Sequence, residues 1–98
     1  MASQFSLFPP PKRFTPDQVR ITEAALDRLD PIDALKALGR HGSGDWGNVS
    51  ATTAAENEGA LRYGWPLHSI YTDRHGTEFW IVTAGDYSLT LILLPDDY

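Results

Sequence analysis

The chain has 98 residues, 42% of them apolar and 21% charged, with no cysteine. That is the length of one domain with one modest core, and it excludes disulfides, thiolate metal sites and a cysteine nucleophile. The net charge of −5 is unevenly placed: residues 1–40 carry six basic and five acidic side chains, residues 41–98 two basic and eight acidic. A chain this acidic is a poor partner for phosphates, so direct nucleic-acid binding is not expected. It suits a protein partner with a basic surface, including one that itself binds nucleic acid.

Residues 1–14 read as a proline-rich arm, with Pro9-Pro10-Pro11 set among Phe5, Leu7, Phe8 and Phe14. Three prolines favour an extended polyproline II stretch. The two basic residues follow the apolar part, the reverse of a secretory signal, so a cytoplasmic location is expected. No apolar run approaches the ~20 residues of a membrane span, so no membrane partner is expected.

Residues 15–98 read as a single α+β domain. Thr15-Pro16-Asp17-Gln18 has the form of a capping box, and Val19, Thr22, Leu26 and Leu29 follow at helical steps, which predicts a first helix. Asp30-Pro31 repeats the start signal for a second, with Ile32, Leu35 and Leu38 as its inner stripe and Gly39 at its end. Residues 39–48, with four glycines in ten, read as a loop. Ser50 caps a third helix running to about Tyr63, with Ala51, Ala54, Ala55 and Leu61 inward and Gly64 at its end.

From Pro66 the period changes to strict alternation. Leu67–Thr72, Glu78–Thr83 and Ser88–Leu94 read as strands joined by the turns Asp73–Gly76 and Ala84–Asp86. Connections this short allow only antiparallel neighbours. The expected fold is therefore α+β, two to three short helices followed by a three-stranded antiparallel β-meander. The last strand is apolar on both faces, which leaves one face of the sheet to be covered and suggests a homodimer.

Arg40-His41-Gly42-Ser43-Gly44-Asp45-Trp46-Gly47 gathers chemistry-bearing residues into one loop. No phosphate-loop lysine follows its glycines, and a catalytic triad is recognised by geometry, not by adjacency. A structural loop plugged by a buried Trp46 is the better reading. The best catalytic constellation is the polar cluster His41, Asp45, Glu56 and Asn57, with His41, Asp45 and Asn57 as the catalytic alternative, but no activated nucleophile accompanies it. The spacings of His41, His68 and His75 match no metal-ligand pattern, so neither metal nor cofactor is expected.

Binding chemistry is better represented. Phe79 and Trp80 alternate on strand two, so one of them must point away from the helices. The acids of the C-terminal half fall mainly in turns and termini. The expected contact set is Asp45, Trp46, Glu56, Glu58, Asp73, Glu78, Trp80, Asp86, Asp96 and Asp97.

The ordered motifs RHGSGDWG, ENEGALRYG, GTEFWIVT and LLPDDY, spread over about residues 38–98, resemble a family of small bacterial proteins. These are carried on plasmids and integrative elements and described as plasmid-related proteins. The family has no established activity to carry onto any residue. The resemblance implies a mobile-element accessory protein, and by analogy an inhibitor of a nucleic-acid-handling defence complex, of anti-CRISPR or anti-restriction type. The expected function is a small acidic non-enzymatic binding protein that docks on such a complex's basic surface. The alternative is a small nucleotide- or RNA-directed enzyme or toxin using His41 and Asp45.

Overall fold

The computed structural model describes residues 13–15 and 18–98. Four strands and three helices follow in the order β1 (Val19–Ile21), α1 (Glu23–Arg28), α2 (Pro31–Gly42), α3 (Ala51–Tyr63), β2 (Leu67–Thr72), β3 (Glu78–Thr83) and β4 (Thr90–Leu93), with a 3₁₀ turn at Pro95–Asp97. The sheet order is β1-β4-β3-β2. The pairs β2–β3 and β3–β4 are antiparallel, while β1 lies parallel to β4 with Val19 opposite Thr90 and Ile21 opposite Ile92. The α+β class and the meander are present. The expectation of a three-stranded antiparallel sheet is corrected to a four-stranded mixed one.

The correction arises at the first helix. Val19-Arg20-Ile21 places two β-branched residues on one side of an extended segment, a pattern that suits a strand as well as a helix. The cap comes later, at Thr22, whose Oγ1 accepts from Ala25 N. Thr22 Oγ1 also donates to Asp97 Oδ2, and the same carboxylate oxygen accepts from Leu94 N. One acid thereby ties the start of α1 to the end of the last strand.

Asp30 caps α2 as expected, its Oδ1 accepting from Ile32 N and Asp33 N, with Pro31 in the first turn. Helix α2 does not stop at Gly39; it runs three residues further. Its buried residues are Ala34, Ala37, His41 and Gly42, whereas Ile32 and Leu35 are exposed. The inner stripe is thus rotated from the expected one. Arg74, in the β2–β3 turn, clasps Asp33 at 3.0 Å and Asp30 at 3.4 Å, which pins the turn to α2 and holds the Asp33 carboxyl down to about 2. Ser50 caps α3, and Gly64 ends it with a φ of 78° that only glycine adopts freely.

Alternation along the strands sorts the sheet into two faces. Leu67, Ser69 and Tyr71, then Phe79, Ile81 and Thr83, then Thr90, Ile92 and Leu94 are all buried. Ala25, Leu29 and Ala37 of α1 and α2 pack on this face around Tyr71, Phe79, Ile81 and Ile92. Ala60 of α3 joins Leu67, Trp46 and Phe14 in a second cluster. Each large side chain so buried contributes about 1.5–3 kcal/mol. On the opposite face His68, Ile70, Trp80, Val82 and Leu91 are only half-buried and Leu93 is buried; among the described residues the C-terminal 3₁₀ turn packs there, with Tyr98 against Trp80, while the core clusters of the three α-helices lie on the other face.

The first twelve residues of the expected 1–14 arm lie outside the described residues. Its last two belong to the body. Arg13 and Phe14 both donate from their backbone N to Gly42 O, and Phe14 is buried against the rings of His41 and Tyr87.

Candidate binding surface

The three residues of the catalytic alternative are held in separate roles. His41, on the last turn of α2, is completely buried. Its Nδ1 pairs with Ser69 Oγ at 2.5 Å and its Nε2 with Thr83 Oγ1 at 2.8 Å. Thr83 Oγ1 bonds onward to Thr90 Oγ1 across β3 and β4, also at 2.8 Å. Asp45 instead faces Arg40, with its Oδ2 2.7 Å from Nε, and accepts from Gly47 N. Asn57 is buried and engaged at both ends of its amide: its Nδ2 donates to His68 O and its Oδ1 accepts from His68 N, which docks α3 onto β2.

The Ser69–His41–Thr83–Thr90 chain satisfies a neutral imidazole inside the core, where an unpartnered one would be costly. A substrate does not reach a ring of zero exposure, so the chain is a packing device. Burial, reinforced by the charge of His68, pushes the His41 ring down to about 4. An unfolded histidine titrates near 6.5. The unfolded chain therefore takes up this proton first as pH falls, and stability drops across the window from about 6.5 to about 4. The full loss is on the order of 3 kcal/mol. His68, also lowered by burial, acts in the same direction. Urea unfolding should show the wild type weaker at pH 4.5 than at pH 7 by about 2 kcal/mol, with His41→Gln much flatter. Equal slopes for both proteins would remove His41 from the account.

The expected acidic contact set is unevenly available. Asp73 is buried: burial pushes its carboxyl up, but the backbone N–H groups of Asp30, Thr77 and His75 outweigh this and hold it down. Glu58 receives both guanidinium nitrogens of Arg13 and the Trp46 indole N–H. Asp86 closes its own turn on Ser88, and Asp97 makes the tie described above. Trp46 is buried between Phe14 and His41. Of the expected acids, Glu56, Glu78 and Asp96 are exposed outside such anchoring networks among the described residues, with Glu78 accepting from the Trp80 indole at 3.2 Å.

Trp80 is the aromatic that points away from the helices, as the alternation with Phe79 required. Its ring meets His68 at 4.7 Å and Tyr98 at 5.4 Å, both edge to face. Tyr98 is 83% exposed. Beside this row, Pro66, Val82, Leu89, Leu91 and Leu93 line a shallow apolar depression closed by Tyr98. Buried beneath the row, His68 Nε2 has no hydrogen-bond partner among the described residues. The open face is thus an apolar sheet with an aromatic row, with Glu78 bonded to Trp80 and the exposed Asp96 in the turn that leads to Tyr98.

No family model, no curated protein and no solved structure matches the chain. No helix among the described residues is long and apolar enough to cross a membrane. Sequence reasoning did not single out His68, Tyr98, Ser69, Thr83 or Thr90 for these roles. The last three carried a signal, being hydroxyls at inward positions of strands where an apolar residue is the rule.

Proposed function

We propose that the protein is a non-catalytic binding protein that docks on a basic protein surface through the open face of its sheet. The observation that carries this reading is the Trp80–Tyr98 pair on an apolar face that no α-helix among the described residues covers, with Glu78 bonded to Trp80 and the exposed Asp96 two residues before Tyr98. Aromatic anchors ringed by polar groups are the usual energetic centres of protein interfaces. An acidic rim steers a basic partner and rejects an acidic one. The role we assign to this docking is inhibition of a nucleic-acid-handling defence complex, of anti-CRISPR or anti-restriction type, in the bacterial cytoplasm. The net charge of −5 supports it, since such a complex presents a basic channel. So does the resemblance to proteins of plasmids and integrative elements. A homodimer would use the same apolar face and compete with the partner for it.

The test compares full-length wild type, Trp80→Ala and Asp96→Lys as baits in bacterial lysate at low and high salt. Trp80→Ala should weaken the retained partner by at least ~2 kcal/mol, about thirtyfold. Asp96→Lys should slow association and reduce its salt dependence. Retention indifferent to both substitutions would overturn the reading. Asp96 is the better reversal than Asp97, because Asp97 holds Thr22 and Leu94 in place.

A further inference from the structure

The molecule already holds one guanidinium between a ring and a carboxylate. Arg40 places its guanidinium carbon 4.8 Å from the centre of the Tyr71 ring. Its fork meets Asp45, Nε to Oδ2 at 2.7 Å and Nη2 to Oδ1 at 3.2 Å. The negative face of a ring attracts the cation, and the planar fork matches two carboxylate oxygens.

The open face of the sheet presents the same two receptors. Glu78 and Trp80 are two residues apart on β3, so they share that face. Glu78 Oε2 accepts from the Trp80 indole N–H at 3.2 Å. Glu78 is exposed and Trp80 half-buried. The rings of His68 and Tyr98 meet Trp80 at 63° and 65°, so neither stacks flat on it. Among the described residues no ion pair involves Glu78; Arg74, four positions earlier, is taken by Asp33 and Asp30.

We propose that Glu78 and Trp80 are the seat of an arginine side chain of the basic partner, an inference that rests on the docking proposed above. Arginine fits this seat better than lysine. Its flat, weakly hydrated guanidinium stacks on an indole while its N–H groups reach a carboxylate, whereas an ammonium is a compact and strongly hydrated charge. The indole–Glu78 bond holds the carboxylate beside the ring, so both receptors are in place before the arginine arrives. Half-buried Ile70, directly opposite Trp80 on β2, offers apolar surface to the aliphatic stem.

The test titrates the full chain with an acetylated and amidated Arg-Leu-Arg tripeptide and with its lysine and citrulline versions, read at the indole N–H signals by NMR. Citrulline keeps the shape of arginine without its charge. Trp65, 51% exposed beside Tyr63 at the end of α3, reports unspecific stacking on an indole. The arginine peptide should move the Trp80 signal at least about fivefold more steeply than the citrulline peptide and about twofold more steeply than the lysine one. Trp65 should show no such discrimination. Glu78→Gln keeps an acceptor for the indole and removes the charge, so it should erase the advantage over citrulline. Glu56→Gln, at an exposed acid on α3, should preserve it. Equal responses to arginine and citrulline would overturn the seat, as would a lysine response as large as the arginine one. So would an advantage that survives Glu78→Gln, or one that Trp65 shows equally. The peptides are independent of the lysate experiment: a Trp80→Ala protein that loses its partner, with no arginine preference here, keeps the docking face and removes the arginine from it.

Discussion

Replacing Trp46 by alanine is expected to destabilise the protein by about 3–5 kcal/mol, the range for truncating a large core aromatic. For a domain of this size that is a fall in melting midpoint of roughly 15 °C or more. The indole joins three parts of the molecule. Its ring stacks near Phe14 at 6.5 Å and meets His41 edge to face at 5.8 Å. Its Nε1 donates to Glu58, which also clamps Arg13. Alanine leaves Phe14 and His41 facing a void and frees the segment that carries the N-terminal arm. Trp46→Phe keeps most of the packing and loses one hydrogen bond to a partly exposed carboxylate, so its cost should stay near 1 kcal/mol. Thermal melts of both variants give the measurement. Similar midpoints for Ala and Phe would show that the hydrogen bond, and not the packing, anchors the loop.

The parts of the fold governed by local chemistry were legible. Helix α3 lies between a serine cap and a left-handed glycine, and β2 and β3 have the bounds that alternation and the Asp73–Gly76 turn define. What escaped was decided by partners far along the chain. Strand β1 exists because Val19 and Ile21 find Thr90 and Ile92 some seventy residues away, and a helical period in the same letters pointed elsewhere. Helix α2 runs past Gly39 because Ala34, Ala37 and His41 form its buried stripe. His41 was therefore misread as a loop residue, and the hydroxyls waiting for it on β2, β3 and β4 went unnoticed. The acids show the same limit. A turn carboxylate is expected in solvent, yet Asp73 is buried because three backbone N–H groups surround it. Trp80 was legible because alternation needs nothing beyond its own strand.

Gly47→Ala should cost about as much as the loss of Trp46, although it adds a single methyl. Gly47 has a φ of +73°, where a side chain costs roughly 1–2 kcal/mol. A Cβ there would stand 2.0 Å from Ile70 O and 2.8 Å from the Tyr71 ring. The backbone oxygen has no room to yield, because the loop is sewn to the outer edge of β2. Ile70 N donates to Trp46 O at 3.1 Å, and Asn48 N donates to Ile70 O at 2.7 Å. Relieving the clash lifts the loop and breaks both bonds, adding about 1–3 kcal/mol. The total is on the order of 2–5 kcal/mol. The lifted loop also bares the edge of β2, an invitation to pairing between molecules. Urea unfolding and light scattering should therefore report a destabilised and more associating protein. Gly39→Ala supplies the contrast: that glycine lies inside α2 with nothing among the described residues within 4 Å of its would-be Cβ. The same change there should stabilise by up to ~1 kcal/mol. A Gly47→Ala protein that associates no more than the wild type and loses less than ~1 kcal/mol would mean that the loop does not seal the sheet edge.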